Sequence, residues 1–284
     1  FLGCRAGSVT TERWRFPAPG ARVIHLDSDP AVIGANYPTE VALIGDARLG
    51  LEALNAALEA QGGVTPGGFD GAARAAVCKA GKAAFYAELS GSGETPIRPE
   101  RLVAELQRVL PDDAVIVADP GTPCPYLSAF YEVRRTGRHL WSNRAHGALG
   151  YSMSAAVGAW YGRPQSKVVS VMGDGSFGFT AGEMETIVRQ QIPMTMIVCS
   201  NSVFGWIKAG QRSGFDERYF SVDFSRTQHA EVAEAFGVKA WRVEDPDQLR
   251  GAIQAAVEHD GPALVDVIAQ PLNEARAPVS EWVA

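Results

Sequence analysis

Four segments of almost unbroken apolar residues, at 114–118, 168–172, 195–199 and 264–268, constrain the fold of this chain more than any other feature. Residues 239–243 form a weaker fifth. A strand that is apolar at every position has both faces buried, and such strands belong to parallel sheets covered by helices on each side. Helical patterns fall between them at 154–161, 181–190 and 246–259. The fold expected is therefore α/β, a doubly wound parallel sheet with helices on both faces. In such a sheet ligands bind beyond the carboxyl ends of the strands, so the loops after Ala118, Met172 and Cys199 are where chemistry is to be sought.

Upstream of this sheet the pattern changes. A short apolar strand at 22–26 ends in the turn cluster Asp27-Ser28-Asp29-Pro30, and a second at 41–44 stops at Gly45-Asp46. Leu49, Leu51, Leu54 and Leu58 then form a helical stripe. Residues 1–60 read as part of a second α/β domain. Residues 61–98 read as a connector, broken at Gly62-Gly63, Pro66-Gly67-Gly68 and Gly91-Ser92-Gly93, with a helix over 71–89. The sheet domain then runs over 99–284. Phe1-Leu2-Gly3-Cys4 reads as the end of a buried strand entering a glycine turn, so a fragment of a longer protein is expected.

Bulk properties exclude several classes. The formal net charge of −6 argues against a nucleic-acid surface, which carries a basic excess. No run of 18 apolar residues offers a membrane span. Cys4, Cys78, Cys124 and Cys199 have no CxxC spacing, which argues against zinc or a disulfide framework and fits a reducing cytoplasm.

Two of the three loops carry a matching pair of signals. Gly173-Asp174-Gly175-Ser176-Phe177 follows one strand, and Ser200-Asn201-Ser202-Val203-Phe204-Gly205 follows the next. Asp174 and Asn201 are 27 positions apart (201 − 174), and the ends of adjacent parallel strands bring both to one point. A carboxylate and an amide oxygen are hard ligands that suit Mg²⁺ or Ca²⁺. Mg²⁺ takes few protein groups and completes its shell with phosphate oxygens and water. Gly173 and Gly175 let backbone approach a phosphate, and Ser176 adds a hydroxyl and an N–H near a helix start. GDG alone is a common turn that usually binds nothing; the joint pattern is far more specific.

That pattern resembles the signature of thiamine-diphosphate (ThDP) enzymes, in which GDG is followed some 25–30 residues later by Asn. The resemblance implies that Asp174, Asn201 and the carbonyl of Val203 bind Mg²⁺. The stretch Asn143-Arg144-Ala145-His146-Gly147-Ala148-Leu149-Gly150-Tyr151 is similar to the family's glycine-rich segment. It implies that Gly147 lies at the cofactor and that Leu149 props it into its bent conformation. Asp119-Pro120-Gly121-Thr122-Pro123 matches the place of a diphosphate-contacting loop, which makes Gly121 and Thr122 candidates beside Phe204 and Gly205. Residues 22–54 resemble the central domain of acetolactate-synthase-like enzymes, so the resemblance spans nearly the whole chain.

The same resemblance implies what else to expect. In that family the cofactor is activated by a glutamate of an N-terminal pyrimidine-binding domain. No Glu of this chain takes the role, the catalytic residue is unknown, and the chain alone is expected to be inactive. Assembly as a homodimer or homotetramer through the pyrimidine-binding domain is implied. The helix after Asn201 faces the substrate, which points to Trp206, Ile207 and Gly210, with His146 from the glycine-rich segment. Acetolactate synthases carry Met at the place of Trp206 and Trp at that of Gly210, a departure that points to a larger or different 2-oxo acid or aldehyde. The family's FAD turn is kept only in part at Gly3-Cys4-Arg5, so FAD stays possible but is not predicted. The expected function is ThDP- and Mg²⁺-dependent decarboxylation of a 2-oxo acid with carboligation, similar to acetolactate synthase. The alternatives are a benzoylformate-type decarboxylase, an aldehyde lyase, or a noncatalytic ThDP-binding module.

Overall fold

The computed structural model describes residues 1–8, 10–63, 70–144 and 146–274. The expected turn at Pro66-Gly67-Gly68, and Ala145 within the glycine-rich segment, lie outside the described residues. The chain divides into two compact units, Phe1–Ala76 and Val77–Ala284.

The first unit is built on two parallel strands, β1 (Ile24–Asp27) and β2 (Val41–Ile44), paired Ile24 to Val41 through Asp27 to Ile44. β1 begins two residues later than its apolar run suggests. Asp46 caps helix α1 (Ala47–Ala60) by accepting from the Arg48 and Leu49 N–H groups, so the strand stop and the helix start are one residue's work. Leu26 is buried and packs at the place where a side chain on Gly50 would collide with it. The leucine stripe does not bury: Leu49, Leu54 and Leu58 are exposed, and no residue of α1 is buried. Leu2 bridges to Leu26 in parallel and Gly3 takes φ +56°, so the strand-to-glycine turn is present, but Leu2 itself is exposed rather than buried.

Helix α2 (Gly71–Ser90) carries the chain into the second unit, where Tyr86 stacks on Phe130 with centroids 4.5 Å apart. There the elements run α3 (Pro99–Val109), β3 (Val115–Ala118), α4 (Pro123–Phe130), β4 (Leu140–Trp141), α5 (Tyr151–Gly162), β5 (Val168–Gly173), α6 (Asp174–Thr180), α7 (Glu183–Arg189), β6 (Thr195–Ser200), α8 (Gly205–Gly214), α9 (His229–Ala235), β7 (Lys239–Val243), α10 (Leu249–Glu258) and β8 (Ala263–Ile268). The sheet is parallel throughout, in the order β4-β3-β5-β6-β8-β7.

Successive strand residues feed two separate cores. Ile116, Val169, Val171, Ile197, Val265 and Val267 join Leu102, Leu106, Leu127 and Ile253, from α3, α4 and α10, on one face. Val115, Val117, Val168, Met172, Met196, Val198 and Leu264 join Met153, Phe177, Met184 and Ile187, from α5, α6 and α7, on the other. Helices on both faces bury nearly every position of β3, β5, β6 and β8, which is why these strands read as almost continuous apolar runs. Across α3 and α10, buried Glu105 accepts from Arg101, Arg108 and Arg250, so this carboxylate enters the interior with its charge matched.

The order also fixes where a ligand can sit. From β3 the chain moves outward to β4, then crosses back to β5 on the other side of β3. The segments after β3 and β5 therefore diverge and leave a crevice beyond the carboxyl ends of these strands, the topological switch point of the sheet.

Candidate functional site

A cleft opens at that crevice. It is lined by Gly121 and Thr122 after β3, Leu149 before α5, Gly173, Asp174, Gly175 and Ser176 after β5, and Val203, Phe204, Gly205, Trp206 and Ile207 after β6. Sequence reasoning named every one of these residues. Gly147 and His146 lie exposed on the turn before Leu149, outside the lining, and Gly147 has φ +74°. Gly210 is exposed on α8, one turn beyond Trp206, with nothing within 4 Å of where a Cβ would stand. Asn201 lies behind the cleft wall, its Nδ2 3.5 Å from the Thr122 hydroxyl.

Asp174 opens α6 directly at the end of β5, where a loop was expected. Its side chain is turned toward the neighbouring strand end: Oδ2 accepts from Asn201 N–H at 2.9 Å and Ser202 N–H at 2.5 Å, and Oδ1 from Gly175 N–H at 2.9 Å. The two strand ends are thus tied through one carboxylate. Burial pushes the Asp174 carboxyl above the usual carboxylate range, and these backbone N–H groups offset that only in part. A cation placed beside it would act in the opposite sense.

The turn after β6 is shaped to present oxygens. Ser202 takes φ +59°, and Phe204 N–H to Val222 O and Phe224 N–H to Ser202 O pin the turn from the far side. Asn201 Oδ1 accepts from Val203 N–H at 3.3 Å. Among the described residues no group of three His, Cys, Asp or Glu side chains is placed to hold a metal. A cation in this cleft would have to be met by a carboxylate, an amide oxygen and a main-chain carbonyl, a donor set for a hard divalent ion.

Glycine is required where the walls meet. A Cβ on Gly175 would stand 2.6 Å from the Phe204 ring, so only glycine lets the α6 backbone lie against this wall. Gly150 caps α5 at φ +86°, and its Cβ would meet Thr180 Cγ2 at 2.9 Å.

Asp119 holds the cleft together and was not singled out in the sequence. It is fully buried, and it accepts from Ser176 Oγ at 2.6 Å, Ser152 N–H at 3.0 Å and Gly150 N–H at 3.3 Å. One carboxylate therefore joins the ends of β3 and β5 to the start of α5. The signal available was a lone acidic residue closing a wholly apolar strand. Asp119→Ala orphans three buried donors and is expected to lower stability by about 3 kcal/mol. A urea unfolding series checks this, and a loss below about 1 kcal/mol would show that other contacts hold the three segments.

A second polar cluster, also unread in the sequence, backs the Asn201 turn. Ser200 Oγ donates to Asp266 and lies 2.8 Å from His229 Nδ1, while Arg242 reaches Asp266 at 3.1 Å. Burial pushes the Asp266 carboxyl up, but the hydrogen bonds from His229 and Ser200 and the nearby Arg242 outweigh it and hold it below its usual range.

Comparison with known proteins bears on this arrangement. Residues 119–267 match the family described as "Thiamine pyrophosphate enzyme, C-terminal TPP binding domain", and residues 1–54 match "Thiamine pyrophosphate enzyme, central domain". The chain is 29% identical over 280 residues to acetolactate synthase 2, chloroplastic, of Nicotiana tabacum, covering 94% of this chain and 41% of that protein. It is 29% identical over 276 residues to an acetolactate synthase of Mycobacterium avium, covering 94% and 44%. A solved thiamine diphosphate-dependent 4-hydroxybenzoylformate decarboxylase of Rhodococcus jostii superposes with TM-score 0.69 at 22% identity, over 89% of this chain and 44% of that one, and shares the fold. The chain spans less than half the length of these relatives.

Proposed function

The chain belongs to the thiamine pyrophosphate enzyme family, and from that premise we propose that the whole protein is a ThDP- and Mg²⁺-dependent 2-oxo acid decarboxylase with carboligation, similar to acetolactate synthase. The observation that carries this reading is the cleft itself. Asp174 and the Asn201–Val203 turn meet across two strand ends, opposite Gly121 and Thr122, with Leu149 between them. These residues fit the group. Asp174 and Val203 line the cleft with Asn201 behind them, Gly175 brings the α6 backbone close, and Leu149 stands 3.7 Å from where a Gly121 Cβ would be.

ThDP, when bound, supplies a carbon that attacks the 2-oxo carbon and takes up the electrons released as CO₂ leaves. The chain's own part is binding and positioning. Asp174, the Asn201 amide oxygen and the Val203 carbonyl would hold Mg²⁺ against the diphosphate, and the Thr122 hydroxyl and the Ser176 backbone N–H would donate to its oxygens, the Ser176 hydroxyl being given to Asp119. Leu149 would fix the bend of the cofactor by contact. Phe204, Trp206 and Ile207 would keep water from the reacting side, where a low dielectric strengthens every charge interaction. Among the described residues no glutamate lines the cleft, so the proton step at the pyrimidine ring would fall to a residue supplied by a partner domain, with a homodimer or homotetramer as the working unit. Cytoplasmic residence is proposed from the four free cysteines. No helix among the described residues is long and apolar enough to cross a membrane.

The departures of α8 from the acetolactate synthase pattern, Trp206 and Gly210, favour a second reading as a decarboxylase of larger 2-oxo acids. Product analysis of the full-length enzyme with pyruvate and with benzoylformate separates the two. Acetolactate from pyruvate supports carboligation; benzaldehyde alone, with pyruvate untouched, supports the second; no consumption of these or of any other 2-oxo acid in a panel removes both. Gly210→Trp should fold normally, because nothing stands in its way, and, where Gly210 meets the substrate in the assembled enzyme, should shift kcat/KM toward small substrates by roughly tenfold. Unchanged relative rates across a size series would take Gly210 out of the substrate path.

A further inference from the structure

Arg144 stands at the edge of the cleft with its charge uncommitted. Its Nη1 donates to the Pro120 carbonyl at 3.3 Å, and its guanidinium carbon lies 5.8 Å from the centre of the Trp206 ring. Pro120 begins the loop after β3, and Trp206 sits in the first turn of α8, so this side chain spans two walls of the cleft. Among the described residues no carboxylate pairs with it: Glu and Asp partners are taken by Arg22, Arg48, Arg98, Arg101, Arg108, Arg134, Arg189, Arg242 and Arg250, but not by Arg144. A guanidinium has five N–H donors, and the Pro120 carbonyl takes one. The adjoining walls, Leu149, Phe204, Trp206 and Ile207, are apolar. A cation fixed by an aromatic face and a carbonyl, beside an apolar cleft and without an acid partner, is built to receive an anion.

Resting on the function proposed above, we infer that Arg144, seated on Trp206, selects a 2-oxo acid whose side chain ends in a second acid group. The departing carboxylate is the wrong ligand. Its charge disperses as CO₂ forms, so an arginine held to it would stabilise the reactant more than the transition state and slow the reaction. A terminal acid group keeps its charge throughout, and binding it lowers KM without penalising the chemical step. A planar fork also explains why arginine suits the place, since it meets a carboxylate with two parallel N–H bonds.

The test uses the full-length enzyme and compares 2-oxoglutarate with 2-oxopentanoate, which has the same chain length and no second acid. Wild type is expected to prefer the diacid. Arg144→Gln should raise the ratio of KM values, diacid over neutral, by roughly tenfold to a hundredfold, the factor a charged hydrogen bond is worth, with kcat for the diacid nearly kept. Arg144→Lys should restore part of the loss. A KM ratio that Arg144→Gln leaves unchanged, in an enzyme that still decarboxylates 2-oxo acids, overturns this inference alone. So does a rise in the ThDP dissociation constant with that ratio unchanged, which would assign Arg144 to the diphosphate. Wild-type enzyme that decarboxylates no 2-oxo acid overturns the function reading itself.

Discussion

Asp174→Ala is expected to weaken ThDP binding at least about 100-fold at fixed Mg²⁺, since even residues that only support a metal ligand change affinity by about 10–100-fold. Asn201→Ala should weaken it by less, because its amide brings an oxygen but no charge. The measurement is calorimetric titration of ThDP with Mg²⁺ present, alongside a thermal melt. The melt matters because Asp174 also accepts from three backbone N–H groups, so its loss frees buried donors as well as a ligand. The two effects separate if each variant is titrated well below its own melting point. Asp174→Ala that stays folded and binds ThDP as wild type does would show that the diphosphate is not held at this carboxylate.

The other large effect concerns turnover. Residues 1–284 expressed alone, with saturating ThDP and Mg²⁺, are expected to bind the cofactor but to process pyruvate or benzoylformate at least about 10⁴-fold more slowly than a full-length family member. Among the described residues the only carboxylate lining the cleft is Asp174, which is committed to the strand ends and to the proposed Mg²⁺. No other described lining residue carries an acid to exchange a proton with the pyrimidine ring, and positioned proton transfer alone contributes about 10²–10⁴ in rate. The assay is CO₂ release by the isolated chain. Turnover within about tenfold of a full-length family member would mean that the activating acid lies inside this chain, and the division of labour proposed above would fall.

How much of this was legible in the sequence differs from element to element. β6 and β8 could be read to within a residue because two covered faces make them apolar along most of their length. β7 has an exposed Lys239 and Arg242, reads as weaker, and still falls where expected. α4 was hidden by Pro123 and Pro125, which look like a turn but sit in the first turn of a helix, where a missing N–H costs nothing. β4 is two residues long and too short for any period to show. α6 was read as loop because Gly175 and Gly178 depress helix propensity, while its start is fixed by tertiary contacts of Asp174. At the site, chain position was legible and side was not. Motif spacing brings Leu149 and Trp206 to the cleft, but the same spacing cannot tell that His146 and Gly210 face solvent. Asp119 escaped notice because its three partners, Gly150, Ser152 and Ser176, are 31 to 57 positions away.

The Asp119 junction also decides how cofactor binding should proceed in time and in free energy. Three segments that must surround a diphosphate are already fastened to one another by a buried carboxylate, so their ordering entropy is settled during folding and is not charged to the ligand. Association should then follow a single concentration-dependent phase without a slow rearrangement behind it. Because only the folded cradle can hold the ligand, cofactor in hundredfold excess over its Kd should add about 2.7 kcal/mol to the unfolding free energy of this domain. Cofactor supply would thereby set how much of the protein stands folded.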